Sequence, residues 1–145
     1  MNAIDLARSW LEFHEGLRLK PYLCTEGKLT VGYGHNCEAS HVPVTLINGV
    51  ITEDDANELL QLDIMYAVKD AYVLCDMKAL SIPRQAVIID MAFNLGRNRL
   101  AGFKKMFANI ADESYESAAF EMMDSRWSRQ VGERATTLAK HMENG

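Results

Sequence analysis

No run of apolar residues in this chain approaches the ~20 needed to cross a bilayer. The opening MNAIDLARSWLEFHEG lacks the basic start and apolar stretch of a secretory leader. The expectation is a protein without stable membrane insertion, held in the cytoplasm until something else releases it. A basic excess is also missing: the formal net charge is −5 and the pI is near 5.3. General nucleic-acid binding wants a cationic face, so that class is set aside. Cysteines number 3, an odd count with no CxxC spacing, which argues against a disulfide scaffold and against a zinc site. A bridge between Cys24 and Cys37 after export stays open; reduced thiols are the default. No metal or other cofactor is expected. Internal repeats and low-complexity segments are absent as well.

What is present is the composition of a soluble globular chain, 48% hydrophobic over 145 residues. That length suits a single domain, 1–145, with a sizeable core. The acid excess lies in residues 1–96, while 97–145 is close to balance. Arg126, Arg129 and Arg134 could form a basic patch for an anionic ligand or a solvated helix face.

Helical spacing dominates. Asn2 is placed to cap a helix over about 3–14, with Ile4, Ala7, Leu11 and His14 on one face. Gly16 should end it, leaving Glu15 projecting from a fixed helix end. Between Arg18 and Gly34, Pro21 and three glycines exclude a long helix. Leu29, Val31 and Tyr33 alternate with Thr30 and Gly32, which reads as a strand in a small antiparallel hairpin turning near Gly27. Cys24 and Thr30 would then lie close together. Residues 36–50 read as a loop. Thr52 caps a long helix toward Leu74, and Ser81-Ile82-Pro83 opens another that stops at Gly96. Shorter helices are expected from Phe103 to Ile110, from Tyr115 to Asp124, and after Gly132. The eight methionines read as core filler and Trp127 as core. The expected class is α+β, mainly α, with a cleft between a small β-containing lobe and a helical lobe as the natural ligand site.

Several stretches together carry a resemblance: His14-Glu15-Gly16-Leu17-Arg18-Leu19, Tyr22, Thr25-Glu26-Gly27, and Thr30-Val31-Gly32-Tyr33-Gly34-His35. Asn48-Gly49-Val50-Ile51-Thr52, the helix from Ala86 to Gly96, Ala101-Gly102-Phe103, Ser125-Arg126-Trp127 and Arg134-Ala135 follow in order. The chain resembles the phage-type lysozymes, endolysins of glycoside hydrolase family twenty-four, over nearly its whole length. The resemblance implies a lysozyme-like two-lobe fold, with a small lobe over about 16–51 and a spine helix over about 52–74. The helical lobe would take about 75–145 plus the N-terminal helix. Relative to longer members, the chain would stop before the last helix and have a shorter loop after His35.

The resemblance also implies a reaction: hydrolysis of the β-1,4 bond between N-acetylmuramic acid and N-acetylglucosamine in peptidoglycan. A monomer would act on the cell wall after release from the host cytoplasm to the periplasm, through a holin-type pore. The family's catalytic Glu and Thr map to Glu15 and Thr30, and its Asp maps to Cys24, where this sequence departs. Arg134 resembles an arginine that can pair with the catalytic Glu. His35 resembles a supporting residue, paired with an acid such as Asp63 or Asp70. Asn36, Phe93 and Asn94 map to substrate contacts; so do Met106 and Glu121, whose chemistry differs from the family's.

Glycoside hydrolysis commonly takes two carboxyl groups, one of them a protonated acid. Glu15 is the candidate acid. A free thiol of pKa near ~8.5 is only about 3% thiolate at pH 7, and a charged Glu15 nearby would raise that pKa further. Cys24 could be a nucleophile or base, or a neutral bystander to a water held by Thr30. The chain could also be an inactive glycan-binding module. Glu26 is accounted for as a hairpin residue and does not replace the missing carboxylate. A cysteine-peptidase reading, with His14, His35 or His41 as base, lacks a Cys-His signature. The resemblance implies inversion; a thiol nucleophile could produce retention, and the sequence leaves the outcome open.

Overall fold

The computed structural model of the protein describes residues 1–38 and 42–145. Eight α-helices and a three-stranded antiparallel sheet follow in the order α1 (Ala3–Glu15), β1 (Arg18–Leu23), β2 (Leu29–Gly32), β3 (His35–Asn36), α2 (Glu53–Leu74), α3 (Ile82–Leu95), α4 (Arg97–Ala101), α5 (Lys104–Ala111), α6 (Tyr115–Met123), α7 (Arg126–Val131) and α8 (Glu133–Asn144) among the described residues. The class is α+β, mainly α. None of these helices is long and apolar enough to cross a membrane.

Helix ends are set by capping chemistry. The Asp5 N–H donates to Asn2 Oδ1 at 2.8 Å. Thr52 and Asp55 cap α2 reciprocally: the Asp55 N–H donates to Thr52 Oγ1 and the Thr52 N–H to Asp55 Oδ2, each at 3.1 Å. Ser81 Oγ accepts from the Arg84 N–H, with Pro83 in the first turn of α3. Gly16 takes φ +68 and closes α1 with its N–H on the Glu12 carbonyl.

The chain gathers into two compact units, Arg8–Tyr66 and Met1–Ala7 with Ala67–Gly145, so that α1 and α2 each run through the boundary. In the first unit Val31, Val42, Ile51, Ala56 and Leu59 form a buried cluster, with Tyr33, Cys37 and Val44 packed on it. The sheet order is β1-β2-β3. Its turn is closed by the Gly27 N–H on the Cys24 carbonyl at 2.8 Å and the Cys24 N–H on the Lys28 carbonyl at 2.9 Å. The expected hairpin has gained a third strand, because the chain turns back at Gly34 and pairs Val31 with His35. The expected loop also contains a tight reversal in which Ile47 and Val50 bridge across Asn48-Gly49.

In the second unit α3 is buried on nearly every side, from Ala86 through Ala92 and again at Leu95. It packs on α8, and α6 packs on both α5 and α8. Met77, Met91, Met106, Met122 and Met142 are buried, as core filler should be, but Met1, Met65 and Met123 are exposed. Trp127 is buried, with its ring edge-on to Phe103 at 6.0 Å.

Candidate active site

Glu15 is the last residue of α1, so its Cα is held by helical hydrogen bonding rather than by a loop. Its half-buried side chain lies directly over the backbone of Gly34: a Cβ built at Gly34 would fall 2.6 Å from Glu15 Oε1 and 2.7 Å from Cδ.

The sheet register assembles the next group. Thr30 is paired with Tyr22 on one side and with Asn36 on the other. Residues directly opposite one another in antiparallel strands share a face. The row Tyr22, Thr30, Asn36 therefore runs across one face of the sheet. Thr30 is buried, and its hydroxyl donates to the Lys28 carbonyl at 2.9 Å. Asn36 Oδ1 accepts the Glu38 N–H at 2.9 Å, which orients the amide.

Cys24 sits at the start of the turn, half-buried and free. Desolvation opposes its ionisation, but hydrogen bonds from the Lys28 and Glu26 backbones, with the Thr30 hydroxyl as an alternative donor, outweigh it, and the thiol pKa lies below its ordinary value. This corrects the expectation of a raised pKa: the turn supplies donors that the sequence did not reveal. Burial pushes the other two thiols, Cys37 and Cys75, up.

The bridge left open between Cys24 and Cys37 is absent. Leu29 of β2 pairs with Leu23 on one flank and accepts the Cys37 N–H on the other. The two thiols thus lie on opposite sides of a strand, with Cα atoms about 10 Å apart at ordinary strand spacing and well beyond disulfide reach.

Tyr22, one of the residues that carry the resemblance, is given no role in the site by the sequence. Its phenol pKa is raised first by burial, then by the charge of Glu15 and by that of Cys24, while Arg18, with Cζ 4.3 Å from the ring centroid, lowers it. One side chain thus senses both candidate catalytic groups. A turn centred on Gly27 would set Thr30 opposite Cys24; the observed turn is centred on Glu26 and pairs Thr30 with Tyr22.

His35 is buried and committed at both ring nitrogens. Nδ1 lies 2.6 Å from Asp63 Oδ2, and Nε2 lies 3.1 Å from the Val42 carbonyl. A carbonyl only accepts and a carboxylate accepts when ionised, so the arrangement suits an imidazolium. Burial opposes that charge, but Asp63 and the Val42 carbonyl prevail and raise the His35 pKa. Asp63, rather than Asp70, is its partner; Asp70 accepts from Arg97 Nε at 2.9 Å. With both nitrogens taken, His35 is not placed to serve as a base for Cys24. His41 lies outside the described residues.

The remaining candidates belong to the other unit. Phe93 and Asn94 are half-buried in the last turn of α3. Asn94 Oδ1 accepts the indole N–H of Trp127 at 2.7 Å. Arg134 donates through Nε to Oδ1 of the fully buried Asp90 at 2.9 Å, and its Nη2 lies 2.9 Å from the same oxygen. A pocket of about 510 Å³ within this unit is lined by Phe103, Met106, Glu121, Arg126 and Trp127, among others.

Known proteins are similar to this chain over most of its length. The model of the family described as phage lysozyme matches residues 12–144. A protein named "Endolysin" from Acyrthosiphon pisum secondary endosymbiont phage 1 is 33% identical, covering 86% of this chain and 80% of its own length. "Probable T4-type lysozyme 1" of Dictyostelium discoideum is 25% identical over 98% of this chain and 96% of its own length. The "Pre-baseplate central spike protein Gp5" of Enterobacteria phage T4 is 30% identical over 86% of this chain but only 25% of its own length.

Proposed function

Because the chain belongs to the phage lysozyme family, we propose that it is an endolysin muramidase. It hydrolyses the β-1,4 bond between N-acetylmuramic acid and N-acetylglucosamine in bacterial peptidoglycan. It acts as a monomer, held in the host cytoplasm until a holin-type pore lets it reach the wall. The single observation that carries the reading is the grouping within one unit of Glu15 at a helix end, Thr30 on the central strand and Cys24 at the start of the turn.

In this reading protonated Glu15 gives its proton to the glycosidic oxygen as the bond from C1 breaks, and the bond's electron pair stays with the leaving sugar. The residues assigned to glycan contact are Asn36 in one unit and Phe93 and Asn94 in the other; the Trp127 indole N–H fixes the Asn94 amide through its oxygen. His35 and Arg134 support the site from within their own units, through Asp63 and Asp90.

Cys24 supplies the second group. As thiolate it either attacks C1 or takes a proton from a water that attacks C1. The first path forms a carbon–sulfur bond, which one water then breaks as the Glu15 carboxylate takes its proton and sulfur leaves as thiolate; the anomer is retained. The second inverts it. The backbone hydrogen bonds that the turn directs at Cys24 support its thiolate in this role.

The test is clearing of chloroform-treated Gram-negative cells by the wild type, Glu15→Gln, Cys24→Asp and Cys24→Ala, with the product anomer followed by NMR. Glu15→Gln should lose about 100-fold or more in rate. Binding to purified sacculi without release of reducing ends would favour the inactive module instead.

A further inference from the structure

Among the nine glycines, Gly34 is the one at which a built Cβ would collide with Glu15. The three nearest atoms a Cβ there would meet belong to the Glu15 side chain: Oε1 at 2.6 Å, Cδ at 2.7 Å and Cγ at 3.0 Å. Non-bonded heavy atoms rest at roughly 3.5 Å or more. A methyl at position 34 would therefore drive the carboxyl back by roughly 1 Å. Gly34 also lies between Thr30 and Asn36 in the chain, in the reversal that lets β3 return beside β2.

We propose that Gly34 is a positioning residue: its missing side chain is the seat that fixes the Glu15 carboxyl in its catalytic pose. This rests on Glu15 being the general acid. The physical argument separates two roles of the glycine. Its φ of +68 favours glycine whatever is nearby. The contact with Glu15 is independent of that strain. A flexible carboxylate can swing aside at little cost to the fold, so the collision should be paid in catalysis rather than in folding. A misplacement of about 1 Å at a reacting group costs about 100-fold in rate.

Gly49 provides the matched control. It lies in the same unit with φ +79, and a Cβ built there meets nothing within 4 Å. Gly34→Ala, Gly49→Ala and Glu15→Gln are compared with the wild type for melting temperature, kcat and KM on solubilised peptidoglycan. The expected result is similar melting losses for the two alanine variants. Gly34→Ala alone should lose about 100-fold in kcat with little change in KM.

Gly34→Ala with wild-type kcat, or with a kcat loss matched by Gly49→Ala, overturns the proposal. If Glu15→Gln is fully active, the acid assignment itself has failed. If Glu15→Gln is inactive but Gly34→Ala is active, only the seat has failed. Should Gly34→Ala not fold, the Glu15→Ala/Gly34→Ala double variant decides. Recovery of folding shows that position 34 and the Glu15 side chain compete for one space, with the cost reaching the fold as well as the pose, whereas a double variant that also stays unfolded overturns the proposal.

Discussion

Thr30 carries one hydroxyl hydrogen and faces two acceptors. Held on the Lys28 carbonyl at 2.9 Å, it leaves the Cys24 sulfur to the backbone N–H groups. Turned toward sulfur, it adds to the stability of the thiolate. Thr30→Val removes that choice and should raise the Cys24 pKa, while Thr30→Ser should preserve it. The pH midpoint of Cys24 alkylation measures this, since Cys37 and Cys75 are pushed the other way by burial and react later. Activity should follow: its acid limb moves to higher pH in Thr30→Val. An unchanged midpoint would remove Thr30 from the control of the thiol. The pairing was only partly legible in the sequence. The turn at Gly27 put Cys24 and Thr30 near one another, but the backbone donors at Glu26 and Lys28 depend on turn geometry, which residue names do not fix.

At the scale of elements, His35 ties β3 to α2 through Asp63. The folded His35 pKa is raised above its unfolded value. The stability from its protonation is thus fully present below the unfolded pKa, near ~6.5, and is lost as pH rises through the folded pKa. Asp63→Asn leaves a buried imidazolium facing a neutral amide and should cost about 3 kcal/mol in mildly acidic solution. The difference from wild type should shrink as pH rises. Urea unfolding across that range checks it, and a pH-independent difference would show that the pair contributes no charge interaction. Elements with strong patterning and caps were legible: α1, α2 and α3 begin at Asn2, Thr52 and Ser81 as their side chains require. α4, α7 and β3 were not, because five, six and two residues are too short to display a period.

At the scale of the whole molecule, one charge sits deep inside a helix that otherwise reads as apolar. Asp90, between Ile89 and Met91, has no exposed surface. Its counter-charge comes from Arg134 on α8, far along the chain, and sequence patterning carries no signal for so distant a pairing. The candidate role given to Arg134 from resemblance named a different carboxylate, so its bond to Asp90 is knowledge only the folded chain supplies. Burying two charges is costly, and their attraction repays it only while both are present. Asp90→Asn and Arg134→Met should each cost about 3–5 kcal/mol, because each strands a buried charge or removes half of a matched pair. The double variant Asp90→Asn/Arg134→Met removes both charges together and should cost much less than the sum of the two. Urea midpoints for the four proteins close the cycle, and strict additivity would mean that the ion pair does not couple α3 to α8. Catalysis supplies a second readout. If Arg134 acts through Asp90 alone, the double variant should recover kcat along with stability. Recovered stability with kcat still depressed would assign Arg134 a task beyond its own unit.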